Sequence, residues 1–222
     1  MRIEKYVHSC LLLSGDGQKI VFDPGKFSFI DGRVDPAIFH DVQAIVLTHA
    51  HPDHLDPVAL GRIVQASGAS IHANAEVRDK LHSHGLAVKL VNALEFRIGP
   101  FRLLPLAVQH APILADKLPQ STAFVVNDRL LIPGDSFDDT LQRFKGIEAL
   151  ALPVMAPFLT ELDAFRFACA LAPRQVLPVH DGYARDDFLS QRYDTYELYM
   201  KRQGIVFHRL EKPGAGFDLP DV

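Results

Sequence analysis

The chain opens on short apolar runs separated by a tight polar turn: Cys10 to Leu13, then Gly15-Asp16-Gly17, then Ile20-Val21-Phe22. Runs of this length bounded by Gly and Asp predict antiparallel strands and hairpins from Arg2 to Asp23. The unbroken apolar run Ala44 to Leu47 predicts a buried strand. Apolar residues at Val58, Leu60, Ile63 and Val64 predict a helix from Pro57 to about Ala66. A second unit follows, with a strand at Ala69 to His72 and a polar helix from Ala75 to His84 that ends before Gly85. Helical spacing then disappears. Runs at Leu94 to Ile98, Phe101 to Val108, Thr122 to Val126 and Arg129 to Ile132 return the chain to antiparallel sheet. The last third alternates again: strand Ala149 to Leu152, helix Leu159 to Leu171, strand Gln175 to Val179, helix Asp186 to Met200 and strand Ile205 to Leu210. No linker, low-complexity tract or short repeat interrupts this order, so the expectation is one domain over residues 1–222. Blocks of sheet with helices in both halves predict two mixed sheets packed together with helices outside, an α/β layer sandwich.

Composition narrows the class. The 222 residues are 48% hydrophobic and 23% charged, as in ordinary globular domains, and at this length a core needs no disulfide staples. A net charge of −4 offers no large basic surface, which disfavours nucleic acid and leaves a small molecule as the expected partner. Cys10 and Cys169 stand far apart with no paired spacing and read as buried, inert thiols. The N-terminal apolar run is too short for a signal or a membrane span, so the expectation is a cytoplasmic protein with no membrane partner. Tyr193, Tyr196 and Tyr199 have helical spacing and read as core, with a homo-oligomer contact as their other use.

The chemistry is carried by histidine. Of eleven histidines, three fall in the segment His49-Ala50-His51-Pro52-Asp53-His54, which follows the Ala44 to Leu47 run and so should emerge at the carboxyl end of a strand. Pro52 biases His51 away from helix, making this a turn whose side chains can converge on a point. Three more ligand-type residues each end an apolar run: His110 after Leu103 to Val108, Asp135 after Leu130 to Ile132, and His180 after Val176 to Val179. Imidazole and carboxylate donors suit zinc and also admit manganese, iron or nickel.

Together, the HxHxDH segment, His110, Asp135 in Pro133-Gly134-Asp135-Ser136, and His180 resemble the metallo-β-lactamase superfamily across nearly the whole chain. The resemblance implies an αββα four-layer sandwich with two metal ions between the sheets. It would place His49, His51 and His110 on one ion, Asp53, His54 and His180 on the other, and Asp135 bridging both. Asp135 stands where the best-known true β-lactamases carry a cysteine, which argues against β-lactam hydrolysis. His51 stands where flavodiiron oxidoreductases carry Glu, which disfavours redox iron chemistry. The early Val7-His8-Ser9, followed by Val21-Phe22-Asp23-Pro24-Gly25, is similar to the branch containing ascorbate-phosphate lactonase and small metal-dependent hydrolases.

The expected activity is hydrolysis of a small ester, lactone or phosphoester by a hydroxide bridging two divalent ions, zinc first among them. Asp53 is expected to orient that hydroxide while ligating. His8 is expected to reach the metal edge and donate a hydrogen bond to substrate or leaving group. Asp23, at a strand end before Pro24-Gly25, reads as holding a ligand histidine or shaping the turn. The alternatives are a phosphodiesterase or nuclease of the same fold, and a metal-binding protein without turnover. His40, His72, His82, His84 and His208 read as solvated or locally satisfied. Lys26, Lys117, Tyr183 and Arg185 lie in loops beside the motifs, where no role is assigned to them.

Overall fold

The apolar runs are continuous because most strands are covered on both faces, and alternate side chains enter different layers. A computed structural model describes residues 1–92 and 94–220. In chain order, its elements begin β1 (Arg2–Lys5), β2 (Leu11–Gly15), β3 (Gln18–Phe22), α1 (Lys26–Phe29), β4 (Ala44–Val46), α2 (Pro57–Ser67), β5 (Ser70–Ala73), α3 (Ala75–His82) and β6 (Val88–Leu90). The second half continues with β7 (Phe96–Ile98), β8 (Phe101–Val108), β9 (Ser121–Val126), β10 (Leu130–Ile132), β11 (Ala149–Pro153), α4 (Glu161–Leu171), β12 (Gln175–Val179), α5 (Asp186–Arg202), β13 (Val206–Phe207) and β14 (Ala215–Asp218).

The strands form two seven-stranded mixed sheets, ordered β14-β1-β2-β3-β4-β5-β6 and β13-β12-β11-β10-β9-β8-β7. Leu11, Leu13, Ile20, Phe22 and Val46 of the first sheet meet Leu103, Phe124, Leu130, Ala151 and Leu177 of the second in the central layer. The intervening residues face outward: Val21 and Ile45 pack with Leu60 and Ile63 of α2, while Leu150 and Val176 pack with Ala168 of α4 and Tyr193 of α5. The result is the four-layer αββα sandwich.

Local sequence explains the helix starts. Asp56 caps α2 by accepting from Val58 N–H and Ala59 N–H, with Pro57 at the first helical position. Thr160 and Asp163 form a reciprocal capping box on α4. Tyr193 and Tyr196 are core, but Tyr199 is exposed, so the tyrosine stripe divides between the two environments. Cys10 is buried, whereas Cys169 is only half-buried, contrary to the expectation for both thiols. The expected strand from Ile205 to Leu210 shrinks to the two residues of β13, beyond which His208 N–H still bonds to the Val176 carbonyl at 2.9 Å and its ring stacks on Phe217 at 3.7 Å. No helix among the described residues is long and apolar enough to cross a membrane.

Candidate metal centre

The site gathers at one edge of the sandwich, where strands end. The turn after β4 carries His49, His51, Asp53 and His54; His110 follows β8, Asp135 follows β10 and His180 follows β12. The turn between β1 and β2 adds His8 from the N-terminal end of the chain. Three of these supporting turns require unusual backbone: His8, Asp23 and His180 have φ of 65°, 43° and 63°. Such left-handed conformations cost about 1–3 kcal/mol for residues with a Cβ and concentrate at functional sites.

Two clusters of donor atoms result. His49, His51, His110 and Asp135 form one, and His8, Asp53, His54 and His180 form the other, each with its donor atoms within 4.8 Å of one another. Asp135 faces both. Its Oδ2 lies 3.7 Å from His49 Nε2, 3.5 Å from His110 Nε2 and 3.0 Å from His180 Nε2, while Oδ1 lies 3.1 Å from His54 Nε2.

A direct test of whether these residues fit metal ions is where their hydrogen bonds go. His54 Nε2, His110 Nε2 and Asp135 Oδ1 are buried without a hydrogen-bond partner. Orphaned buried polar atoms are costly and call for an explanation. Although His54 Nε2 and Asp135 Oδ1 are close, they are misaligned for a hydrogen bond, as expected of two donors aimed at a shared cation. The outer nitrogens complete the picture. His54 Nδ1 donates to Asp23 Oδ2 at 2.8 Å, His110 Nδ1 to the Ala111 carbonyl at 2.6 Å, and His180 Nδ1 to the Met155 carbonyl at 2.6 Å. Thr48 Oγ1 gives its proton to Asp23 Oδ2 at 2.6 Å and therefore accepts from His49 Nδ1 at 3.0 Å. In all four histidines the outer nitrogen donates, so Nε2 faces inward and is the atom each ring would offer to an ion once any second proton has left. The residues fit two divalent ions. Asp23, buried behind His54 and Thr48, is the support the sequence suggested.

Electrostatics agrees. Burial works against charge on His54 and His180, but the carboxylates outweigh it: Asp135 and Asp23 raise His54 well above its ordinary range, and Asp135 and Asp53 raise His180 to about 9. Burial lowers His49 and His51. Burial also works against charge on Asp53 and Asp135, but the facing histidines hold both carboxyls well below the usual carboxylate range. The metal-free protein at neutral pH therefore carries protons on His54 and His180 where cations would bind. Loading it is expected to release about two protons, and affinity should rise with pH through the range near 9 in which His180 loses its proton. Calorimetry in buffers of different ionisation enthalpy reads this number; no proton release at pH 7 would contradict the charge assignment.

The cluster opens on one side. His51 and Asp53 are partly exposed, while His49, His54, His110, Asp135 and His180 are buried. Aromatic side chains frame the opening. Phe158 stands 5.6 Å from the His110 ring and 5.8 Å from the His180 ring, and Phe27 lies 4.9 Å from both His8 and Tyr183. Beside His110 is a cavity of about 400 Å³ lined by Ala111, Pro112, Phe137, Phe158 and Arg166 among others. Sequence reasoning took the aromatic-rich segment Phe158 to Phe167 for core or a subunit contact rather than for the site, missed Phe137, and assigned no role to Tyr183, whose hydroxyl donates to Asp53 Oδ2 at 3.0 Å. Lys26 and Lys117 are exposed, and Arg185 pairs with Asp187. His82 and His84 are exposed, and His72 is buried against Ser70 and Phe96.

His8, expected at the substrate, is instead completely buried. Its ring contacts Gly182 on one side and Asp53 on the other.

Comparison with known proteins matches residues 2–180 to the family model described as the Beta-lactamase superfamily domain. Protein Rv0786c of Mycobacterium tuberculosis is 26% identical over 202 residues, covering 84% of this chain and 87% of that protein. A UPF0173 metal-dependent hydrolase of an Exiguobacterium species is 27% identical over 195 residues, covering 81% and 85%. A solved structure from Parabacteroides distasonis superposes with a TM-score of 0.73 at 24% identity, covering 93% of this chain and 90% of the other.

Proposed function

The chain belongs to the beta-lactamase superfamily, and on that premise we propose that it is a metal-dependent hydrolase acting on a small ester or lactone. The observation carrying this reading is the inward convergence of seven imidazole and carboxylate donors that leaves buried donor atoms without hydrogen bonds. The hydrolase name of its Exiguobacterium relative supports it. His49, His51 and His110 would hold one ion, Asp53, His54 and His180 the other, and Asp135 both, with zinc the ion proposed for this N/O set. When bound, such a pair lowers the pKa of coordinated water towards about 7 and draws charge from a substrate oxygen.

The chain's own residues supply position. Asp53 is an ionised carboxylate at the open side, held by His8 and by Tyr183, and we assign it the orientation of the attacking water. Met155 and Ala111 carbonyls lock the His180 and His110 rings, so the donor set is preorganised.

The mouth favours acyl substrates over phosphoesters. Phe137, Phe158, Ala111 and Pro112 give its lining apolar surface, Asp138 adds a carboxylate, and the guanidinium of Arg166 lies 4.0 Å from the Asp163 carboxylate, so its positive charge is already paired. A cavity of about 400 Å³ takes a small molecule. This agrees with the sequence resemblance to the lactonase branch. Zinc-loaded protein should hydrolyse aryl esters or small lactones and lose that activity to a chelator. No turnover with two ions bound would overturn the hydrolase reading; turnover confined to phosphodiesters would overturn the acyl preference.

A further inference from the structure

His8 sits in the second cluster as though it were a fourth ligand, with Nε2 3.1 Å from Asp53 Oδ2 and its ring 4.0 Å from that of His180. Its outer nitrogen tells otherwise. At His49, His54, His110 and His180 the outer Nδ1 donates to an oxygen, which leaves Nε2 as the inward-facing atom that can give a lone pair to an ion. At His8 the polarity is reversed, because Gly182 N–H donates to Nδ1 at 2.9 Å. A neutral imidazole carries one proton, and with Nδ1 accepting, that proton is on Nε2. A protonated Nε2 has no lone pair for a metal, but it faces an ionised carboxylate that accepts.

We propose that His8 is a positioning residue that donates Nε2–H to Asp53, holding this carboxylate in place for the second ion, and that it is not itself a metal ligand.

Three further observations support the assignment. His8 is completely buried, so it has no route to substrate in this conformation. The His180 N–H donates to the His8 carbonyl at 3.2 Å, which clasps the two left-handed residues together and ties the β1–β2 turn to the turn after β12. Position 182 suits only the smallest residue without local displacement: a Cβ there would meet His8 Nδ1 at 3.0 Å and Phe27 Cβ at 3.1 Å, so glycine lets the backbone N–H approach the ring. Behind Gly182, Asp181 is anchored by a buried ion pair with Lys5 and a hydrogen bond from Tyr193. The donor to Nδ1 is thereby fixed from the far side.

The inference rests on the dinuclear reading above, and its test separates the two. The isosteric logic is that a Gln amide nitrogen reaches the place of Nε2, whereas an Asn amide reaches only the place of Nδ1. His8→Gln should keep the donor to Asp53 and bind the second zinc ion within about threefold of wild type. His8→Asn should satisfy Gly182 but lose that donor, weakening the second ion by about 10–100-fold while both ions still bind at saturation. Chelator competition measures the affinities, and thermal unfolding monitors the fold. If His8 were a ligand, Gln would lose the second ion as fully as Asn. If it only packed, both variants would melt earlier with unchanged zinc affinity. A measurement on the unmodified chain complements these: in protein loaded with ¹¹³Cd, the ¹⁵N spectrum should show His8 protonated at Nε2 without cadmium coupling. Coupling at His8 would overturn the inference, whereas failure of the wild type to bind a second ion would overturn the dinuclear reading itself.

Discussion

Asp135→Ala is expected to bind about one ion where the wild-type chain binds two, and to lose hydrolytic activity on the order of 1,000-fold or more. Among the described residues Asp135 is the carboxylate that faces both donor clusters, with Oδ2 near His49, His110 and His180 and Oδ1 near His54. Removing it deprives both ions of a shared anionic donor. It also removes the charge that most strongly favours protonation of His54 and His180, so the variant should release fewer protons on loading. Because the side chain is buried and small, its truncation leaves the surrounding strands with little to rearrange. Elemental analysis and steady-state kinetics on the same preparation read both effects. Two ions and wild-type turnover would sink the assignment.

Asp23→Ala should be the most damaging change outside the donor set. Asp23 accepts from Thr48 N–H at 2.8 Å, Thr48 Oγ1 at 2.6 Å and His54 Nδ1 at 2.8 Å, all of them buried. Alanine leaves these donors unpaired, at a cost of about 3–5 kcal/mol, as for breaking other buried charged networks. It also frees the His54 ring to rotate, which should weaken the second ion about 10–100-fold. Through Thr48, whose hydroxyl would turn away from the missing carboxylate, His49 loses its orientation too. Denaturant unfolding of the metal-free protein measures the first effect and chelator competition the second. A variant with unchanged stability and unchanged zinc affinity would show that the Asp23 network supports neither.

The donor set was legible because four members crowd the turn after the Ala44 to Leu47 run and the other three each follow a run of apolar residues. A strand buried on both faces announces itself in sequence, and its last residue is delivered to the same edge as those of its neighbours; His110, Asp135 and His180 were found in this way. The layer arrangement followed from the alternation of sheet and helix. Other features depended on long-range contacts without a local signature. β14, whose Ala215-Gly216-Phe217-Asp218 has no clear alternation, is held by pairing with β1, and Gly216 is accommodated because a Cβ there would fall 2.2 Å from the Ile3 carbonyl oxygen. β6 is a short edge strand with Lys89 and Leu90 exposed, so no apolar run marks it. The role proposed for His8 could not be read from position either, since it depends on which way one hydrogen bond points, and its partner Gly182 comes from the other end of the chain. Phe158 and Phe137 became recognisable only when the fold set one against His110 and His180 and the other in the adjoining cavity.

The central claim is that the seven donors form one dinuclear centre, and the most direct measurement is the number of transition-metal ions per chain. Elemental mass spectrometry of the purified protein, repeated after reconstitution with zinc and removal of excess, should give about two ions per chain. A chain that holds no ion after reconstitution would contradict the account, because its buried donor atoms would then have to be satisfied by something other than metal.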